Sequence, residues 1–239
     1  MSFIAAARKQ IGQVRKAKLG VLLLVALLLS AGSLFFFGWL AEEMLEGDAR
    51  RFDDVVRSAV HGFASPGMTH LMQGLSFLGS VAVTIALTLL AAIVLYYFHL
   101  HRAIVFLGVI MAGAGALDFV LKHAFHRIRP SAYFGSDPAS YSFPSGHALG
   151  ALCFYGALAI ILSVPAKRVA RLLIWTVAVL LVAGIGLSRI YLGVHYPSDV
   201  VGGYSAAIVW LGTVYIIDKL FDPAYTNGPD STTRRAKPV

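Results

Sequence analysis

The stretch from Leu19 to Ala41, LGVLLLVALLLSAGSLFFFGWLA, contains no charged side chain. A membrane-spanning helix needs about 20 mainly apolar residues, because each rises about 1.5 Å through a hydrocarbon core about 30 Å thick. The apolar core of a secretory signal is shorter, roughly 7–15 residues, and is followed by a small-residue cleavage site that is not evident here. The stretch therefore predicts an uncleaved first membrane span.

Five further apolar stretches have the length expected of a membrane span, or nearly so. They are Ser76 to Phe98, Ala103 to Leu121, Ala148 to Ala166, Leu172 to Leu187 and Tyr196 to Ile217. The fourth of these is short, and we expect it to continue into the segment that follows it. Charged residues make up only 13% of the chain, whereas soluble domains have about 25%. The sequence predicts an all-α polytopic membrane protein with six transmembrane helices in a single domain, residues 1–239.

A shorter amphipathic pattern lies between the first two spans, from Asp48 to Phe63. Its apolar residues recur at helical spacing, while Asp53, Asp54 and Arg57 occupy other faces. The apolar positions are Phe52, Val55, Val56, Ala59, Val60 and Phe63. The pattern predicts a helix that lies in the membrane interface, and a connecting helix packed on protein is the alternative.

The formal net charge of +8 comes from short basic clusters between the apolar stretches, with no basic and aromatic module for nucleic acid. Nucleic acid is therefore not an expected partner. Short loops rich in Lys and Arg favour the cytoplasm, and the basic groups here fit one orientation. These groups are Arg8, Lys9, Arg15, Lys16 and Lys18, then Arg102, then Lys167, Arg168 and Arg171, then Arg234, Arg235 and Lys237. The orientation predicts cytoplasmic tails at residues 1–18 and 222–239, and two outward segments, Lys122 to His147 and Ser188 to Asp199.

Three outward cations, Lys122, Arg127 and Arg129, break this charge rule, which indicates that they serve another purpose. Lys122 and Arg129 flank a short segment after the third span, and Arg189 follows the fifth. Cations held close together near a bilayer repel one another unless an anion neutralises them, and both arginine and lysine bind phosphate. The alternative is that each side chain reaches lipid headgroups separately.

The tetrapeptide Pro144 to His147, Pro-Ser-Gly-His, directly precedes the fourth span and predicts the start of a helix. The free backbone amides at a helix start bind anions, and Gly146 lets the backbone approach a phosphate closely. Ser145 adds a hydroxyl donor, and His147 would then lie beside the bound group as a general acid. A plain boundary between loop and helix is the alternative for this motif alone.

His195 and Asp199 are four residues apart, with Pro197 between them as the first residue of the sixth helix. This spacing can place the carboxylate against the imidazole. An aspartate bonded to one ring nitrogen fixes the tautomer and leaves the other nitrogen free to attack phosphorus. In the alternative, Asp199 complements the charge of the helix start and His195 is a loop residue.

Together these patterns resemble the signature of the type 2 phosphatidic acid phosphatase superfamily. The first motif of that family, Lys with six residues before Arg-Pro, matches Lys122 to Pro130, and the second matches Pro144 to His147. The third, Ser-Arg, five residues, His, three residues and Asp, matches Ser188 to Asp199. Order and spacing agree in all three motifs, and the six-span layout extends the resemblance to most of the chain.

The resemblance implies that His195 attacks phosphorus to form a phosphohistidine, that Asp199 orients it, and that His147 protonates the leaving lipid oxygen. It further implies a set of residues that bind the phosphate oxygens, namely Lys122, Arg129, Ser145, Gly146 and Arg189. No metal or other cofactor is implied. The outward segments agree, because they contain neither a His-x-x-x-His pattern nor a compact carboxylate cluster.

The expected reaction is hydrolysis of a lipid mono- or diphosphate that reaches the site sideways from the outer leaflet. Candidate substrates are undecaprenyl pyrophosphate, phosphatidylglycerophosphate, phosphatidic acid and diacylglycerol pyrophosphate. Transfer of the phosphate to a lipid or sugar acceptor, and a non-enzymatic lipid-binding or transport protein, remain as alternatives. A bacterial inner membrane is expected, with the active site outside the cytoplasm and no obligate protein partner.

Several other residues are predicted to lie outside the site. Asp118, within the third span, is expected to form a structural ion pair or hydrogen bond. His123, His126 and Arg127 are expected at the membrane interface. Cys153 is the only cysteine of the chain and is predicted to be a small buried core residue.

Overall fold

The computed structural model of the chain describes residues 2–135 and 139–221. Within these residues there are eight helices and no strand. The helices are α1 (Ser2–Glu46), α2 (Ala49–His61), α3 (Pro66–Leu78), α4 (Val81–Tyr97), α5 (His101–Phe125), α6 (Gly146–Ser163), α7 (Arg168–Tyr191) and α8 (Pro197–Leu220). The predicted all-α fold class is confirmed.

Five stretches of helix in the described part of the chain are long and apolar enough to cross a membrane. They are Leu19–Glu46 within α1, His101–Phe125, Gly146–Ser163, Arg168–Tyr191 and Pro197–Leu220. The pair α3 and α4, bent by 52°, passes the same test only when taken together, and it makes a sixth span if the two helices cross the membrane as one. The short predicted span at Leu172 does continue, since α7 ends only at Tyr191. The protein is an integral membrane protein.

The second predicted span, Ser76 to Phe98, was wrong as a continuous helix. Gly79 ends α3, and Ser80 begins α4 by accepting a hydrogen bond from the Val83 amide at 3.4 Å. A side chain at Gly79 would overlap Ile185 of α7, so this glycine also allows close packing. A hydropathy average does not detect this helix break, because Gly79 and Ser80 are small residues that also occur within membrane spans.

The α6 helix lies in the middle of the bundle, packed against α4, α5, α7 and α8. Its inner positions are small residues that are essentially inaccessible to solvent, among them Ala151, Cys153 and Ala157. Small side chains let neighbouring helices approach closely, which is the usual basis of helix packing in membranes. The prediction that Cys153 is a buried core residue is confirmed.

The predicted amphipathic helix is present as α2, but one of its acidic residues is turned inward. Asp53 is 0% exposed, whereas Phe52 and Val55 are 53% and 62% exposed. The guanidinium of Arg57 donates to the carbonyl oxygens of Ser131 and Gly193 at 3.2 and 3.3 Å. Asp53 and Arg57 thus pack α2 on protein, which is the second of the two alternatives, and its place in a membrane interface stays a prediction.

The helix ends divide the bundle into two faces. The ends of α5 and α7 and the starts of α6 and α8 lie on one face, and the start of α5 and the end of α8 lie on the other. On that second face Arg102 and Asp218 form an ion pair at 2.8 Å. The predicted basic tail at residues 1–18 is helical from Ser2 as part of α1, and the tail at 222–239, with Arg234, Arg235 and Lys237, lies outside the described residues.

Candidate active site

The predicted pair of His195 and Asp199 forms where α7 gives way to α8. His195 lies in the short loop between these helices, and Pro197 begins α8, so that Asp199 falls in its first turn. The Nδ1 atom of His195 lies 3.3 Å from Oδ2 of Asp199. Both side chains are at most 1% exposed. The four-residue spacing thus brings the carboxylate to the imidazole as expected.

The Asp199 carboxylate is held in one orientation by three further donors. Its Oδ2 accepts a hydrogen bond from the Tyr196 amide at 2.8 Å and another from the Ser142 hydroxyl. Its Oδ1 accepts from Arg127 at 2.6 Å. A carboxylate with both oxygens occupied cannot turn freely, so the direction in which Oδ2 faces the imidazole is fixed.

The other imidazole nitrogen of His195, Nε2, lies 2.8 Å from the guanidinium of Arg129. A guanidinium can only donate, so Nε2 accepts and the ring proton is assigned to Nδ1, facing Asp199. Burial lowers the pKa of His195 to about 4; hydrogen bonding and charge from Asp199 oppose this shift, and Arg129 and Arg189 add to it. The imidazole is therefore neutral at pH 7, with its lone pair on Nε2.

The loop before α6 anchors Arg129 beside this nitrogen. The Arg129 guanidinium donates to the Ser140 carbonyl at 2.6 Å, to the Ser140 hydroxyl at 3.0 Å and to the Val194 carbonyl at 2.7 Å. These contacts join the loop to the segment that carries His195. Arg129 is thus placed in the site, where its planar fork suits phosphate oxygens.

Arg189 approaches the same centre from the last turns of α7. Its side chain is buried and donates to the Ser76 hydroxyl of α3. Its Nε atom is buried and has no hydrogen-bond partner among the described residues. A buried donor without a partner is costly unless an acceptor reaches it, and a phosphate oxygen is a suitable acceptor.

Lys122 is positioned at the end of α5 by Asp118, whose Oδ2 lies 2.9 Å from the ammonium nitrogen. The predicted structural ion pair of Asp118 is therefore present. A Cβ added at Gly146 would lie 2.5 Å from Asp118 Oδ1 and 3.1 Å from Lys122 Nζ. Only glycine leaves room for this pair directly over the start of α6.

The Pro-Ser-Gly-His motif begins α6, as predicted. Ser145 caps the helix by accepting from the Ala148 amide at 3.5 Å, and its own amide donates to the Asp199 carbonyl at 2.9 Å. His147 follows in the first turn and interacts electrostatically with His195 and Arg189, and also with Lys122 and Arg129. The chain fold therefore brings all the predicted site residues into one connected group, namely Lys122, Arg129, Ser145, Gly146, His147, Arg189, His195 and Asp199.

The prediction for Arg127 was wrong. Its side chain is only 11% exposed and bonds Asp199 and Asp53 instead of lying at the membrane interface. The one feature of the sequence that indicated a role for Arg127 was its break of the charge rule for outward loops. Ser142 and Ser76, which contact Asp199 and Arg189, had no such signal because serine is common in loops and apolar stretches. His123 and His126 are exposed.

Comparison with known proteins identifies the family of the chain. The PAP2 superfamily profile matches residues 103–221. Phosphatidylglycerophosphatase B of Bacillus subtilis is 27% identical over 193 residues, which cover 80% of this chain and 93% of that protein. Decaprenylphosphoryl-5-phosphoribose phosphatase of Mycolicibacterium smegmatis is 34% identical over 163 residues, which cover 65% of this chain and 83% of that protein.

The fold also has a solved counterpart. The crystal structure of the transmembrane PAP2-type phosphatidylglycerolphosphate phosphatase from Bacillus subtilis superimposes with a TM-score of 0.76 at 24% identity. The superposition covers 82% of this chain and 98% of that one. The chain belongs to the PAP2 superfamily, the type 2 phosphatidic acid phosphatases, and is an integral-membrane lipid phosphatase.

Proposed function

We propose that the chain hydrolyses a lipid monophosphate or diphosphate through a phosphohistidine at His195, without a metal cofactor. We further propose that it works as a single domain in a bacterial inner membrane, with the site on the extracytoplasmic face and both termini in the cytoplasm. The candidate substrates are phosphatidylglycerophosphate, undecaprenyl pyrophosphate, phosphatidic acid and diacylglycerol pyrophosphate. The two named relatives support a lipid phosphate, since their names describe phosphatases of phosphatidylglycerophosphate and of decaprenylphosphoryl-5-phosphoribose.

The contacts of the His195 ring carry this proposal. Asp199 lies at Nδ1, and Arg129 donates to Nε2 at 2.8 Å. A phosphate oxygen that takes over the Arg129 donor would bring phosphorus next to the Nε2 lone pair. The cation that now bonds the nucleophile therefore also guides the electrophile to it.

In the first step Nε2 of His195 bonds to phosphorus as the bond between phosphorus and the lipid oxygen breaks. The negative charge of the bound phosphate holds the His147 imidazole in its protonated form. His147 transfers this proton to the lipid oxygen, so the lipid leaves as an alcohol, or as a lipid monophosphate when the substrate is a diphosphate. The imidazole gains positive charge, which Asp199 stabilises from Nδ1. Lys122, Arg129 and Arg189 balance the negative charge on the phosphoryl oxygens.

In the second step water attacks phosphorus on the phosphohistidine. His147, now neutral, takes one proton from this water as the bond between phosphorus and Nε2 breaks. Inorganic phosphate leaves, and His195 returns to its neutral form. The three cations supply the charge compensation that a metal ion provides in other phosphatases. Among the described residues no three His, Cys, Asp or Glu side chains cluster as metal ligands.

A phosphate-release panel on the purified protein tests this proposal. We expect at least one of the four candidate lipids to yield free inorganic phosphate, with the rate unchanged by a chelator. Addition of a lipid or sugar acceptor should not divert the phosphate. Phosphate found on the acceptor would indicate a transferase, and turnover that is lost with the chelator and restored by a metal ion would contradict the metal-free mechanism.

The proposed orientation predicts which exposed cysteines react from outside the cell. In a Cys153→Ala background, we expect Ile128→Cys, at an 84% exposed position in the loop before α6, to be labelled by an impermeant maleimide in intact cells. The control, Val164→Cys, is 73% exposed and lies in the connection between α6 and α7 on the opposite face. It should react only after permeabilisation, and the reverse pattern would overturn the orientation.

A further inference from the structure

A buried ion network joins α2 to the catalytic aspartate. Asp53 of α2 is 0% exposed. Its Oδ1 accepts from the Ser198 amide at 2.9 Å, and its Oδ2 accepts from the Ser198 hydroxyl and from Arg127, each at 2.7 Å. Asp53 precedes Ser198 by 145 residues, so only the tertiary fold brings them together.

Arg127 is the centre of this network. Its second terminal nitrogen donates to Asp199 Oδ1 at 2.6 Å and to the Ser198 hydroxyl at 2.7 Å. Its guanidinium carbon lies 4.2 Å from the centre of the Tyr196 ring. One cation thus bridges two carboxylates that would otherwise repel each other in a site closed to water. The guanidinium fork fits this geometry, whereas a lysine ammonium would not.

The two oxygens of Asp199 have separate partners. Oδ1 receives the Arg127 bond, and Oδ2 faces His195. A rotation of the carboxylate that lost the Arg127 bond would also move Oδ2 away from Nδ1. The orientation of the nucleophilic imidazole therefore depends on Arg127, and the orientation of Arg127 depends on Asp53.

We infer that Asp53 and Arg127 are positioning residues that fix the Asp199 carboxylate, and through it the tautomer and direction of His195. Neither touches the reacting atoms in the mechanism above. The surface helix α2 is in this way part of the catalytic apparatus and not only a connection between spans. This inference rests on the proposed role of His195 as nucleophile.

Substitution of either residue should lower kcat more than it changes KM. We expect Arg127→Gln and Asp53→Asn to lower kcat for phosphate release by about 10- to 100-fold, with KM within about twofold, because the phosphate-binding cations are untouched. Ser198→Ala removes a single hydroxyl and should lower kcat by about two- to tenfold. This milder variant also tests the inference if the charge variants do not fold. Unchanged kcat in folded Arg127→Gln, or in Ser198→Ala when only that variant folds, would refute it.

A double-mutant cycle separates positioning from a purely structural role. In an Asp199→Asn background, Arg127→Gln should lower kcat by no more than about twofold, because the oxygen through which it acts has already changed. A structural role predicts the same fractional loss in both backgrounds, together with a matching drop in the folded fraction. Equal losses in the two backgrounds would overturn the inference.

Two controls complete the experiment. Arg102→Gln breaks the ion pair with Asp218 on the opposite face of the bundle and should leave kcat unchanged. His195→Ala tests the proposed function itself. If His195→Ala retains phosphate release, the proposed mechanism fails; if it is inactive while folded Arg127→Gln and Asp53→Asn keep full kcat, only the present inference fails.

Discussion

Replacement of His195 by alanine is expected to lower kcat for phosphate release by at least about 10³-fold. The change removes the nitrogen that bonds phosphorus in the proposed mechanism. KM should change little, because Lys122, Arg129 and Arg189 still bind the phosphate. The measurement is single-turnover and steady-state phosphate release in detergent.

A matched histidine provides the control for this loss. His101→Ala alters the first residue of α5, on the face away from the site, and should retain full activity. Both variants should elute as monodisperse protein with unchanged helix content. Residual activity of His195→Ala within about tenfold of the unmodified protein would contradict a covalent role for this residue.

The loss of rate on replacement of His147 by glutamine is expected to depend on the leaving group of the substrate. A lipid alkoxide is a poor leaving group and needs the proton from His147, so kcat for phosphatidic acid should fall by about 10²- to 10⁴-fold. An aryl phosphate such as p-nitrophenyl phosphate leaves as a stable phenolate and needs little protonation. The loss for the first step with this substrate should therefore be much smaller.

The leaving-group comparison also distinguishes His147 from a binding residue. The rate of the first step is followed by the burst of p-nitrophenol, which separates it from later attack by water. If the rate of this step falls by the same factor for phosphatidic acid and for p-nitrophenyl phosphate, His147 contributes to binding or folding and not to proton transfer. A histidine remote from the site, His101, again serves as the control.

The apolar stretches were sufficient to predict the fold class and most of the spans. Runs such as Leu19 to Ala41 are decisive, because a bilayer requires about 20 apolar residues whatever the partners of the helix. The break at Gly79 and Ser80 was not predicted, because it depends on capping and on contact with Ile185. A hydropathy average does not resolve these local features.

The residues that the structure brings together at the candidate site were predicted from the sequence. The residues that hold them in place were not. Spacing within each motif, such as the four residues from His195 to Asp199, selects residues that act together. The residues that hold them in place come from distant elements with no fixed spacing. Asp53 is the clearest case, since its pattern on α2 placed it only on a face other than the apolar one, whereas the structure buries it fully and bonds it to Ser198.

The exposed apolar side chains of α2 bear on how a lipid would reach the proposed site. Phe52 and Val55 are exposed, and Phe63, 75% exposed, continues that apolar surface just beyond the helix end; in the proposed orientation these side chains would enter the acyl region. A helix with its side chains is about 10–12 Å across, so in that orientation Asp53 and its network would lie roughly one helix diameter from the acyl boundary. Withdrawing a lipid from a bilayer costs about 0.8 kcal/mol per methylene, hence tens of kcal/mol for two long chains. A reaction centre at this depth would avoid that extraction, and diffusion within the membrane plane would then be enough to deliver the substrate.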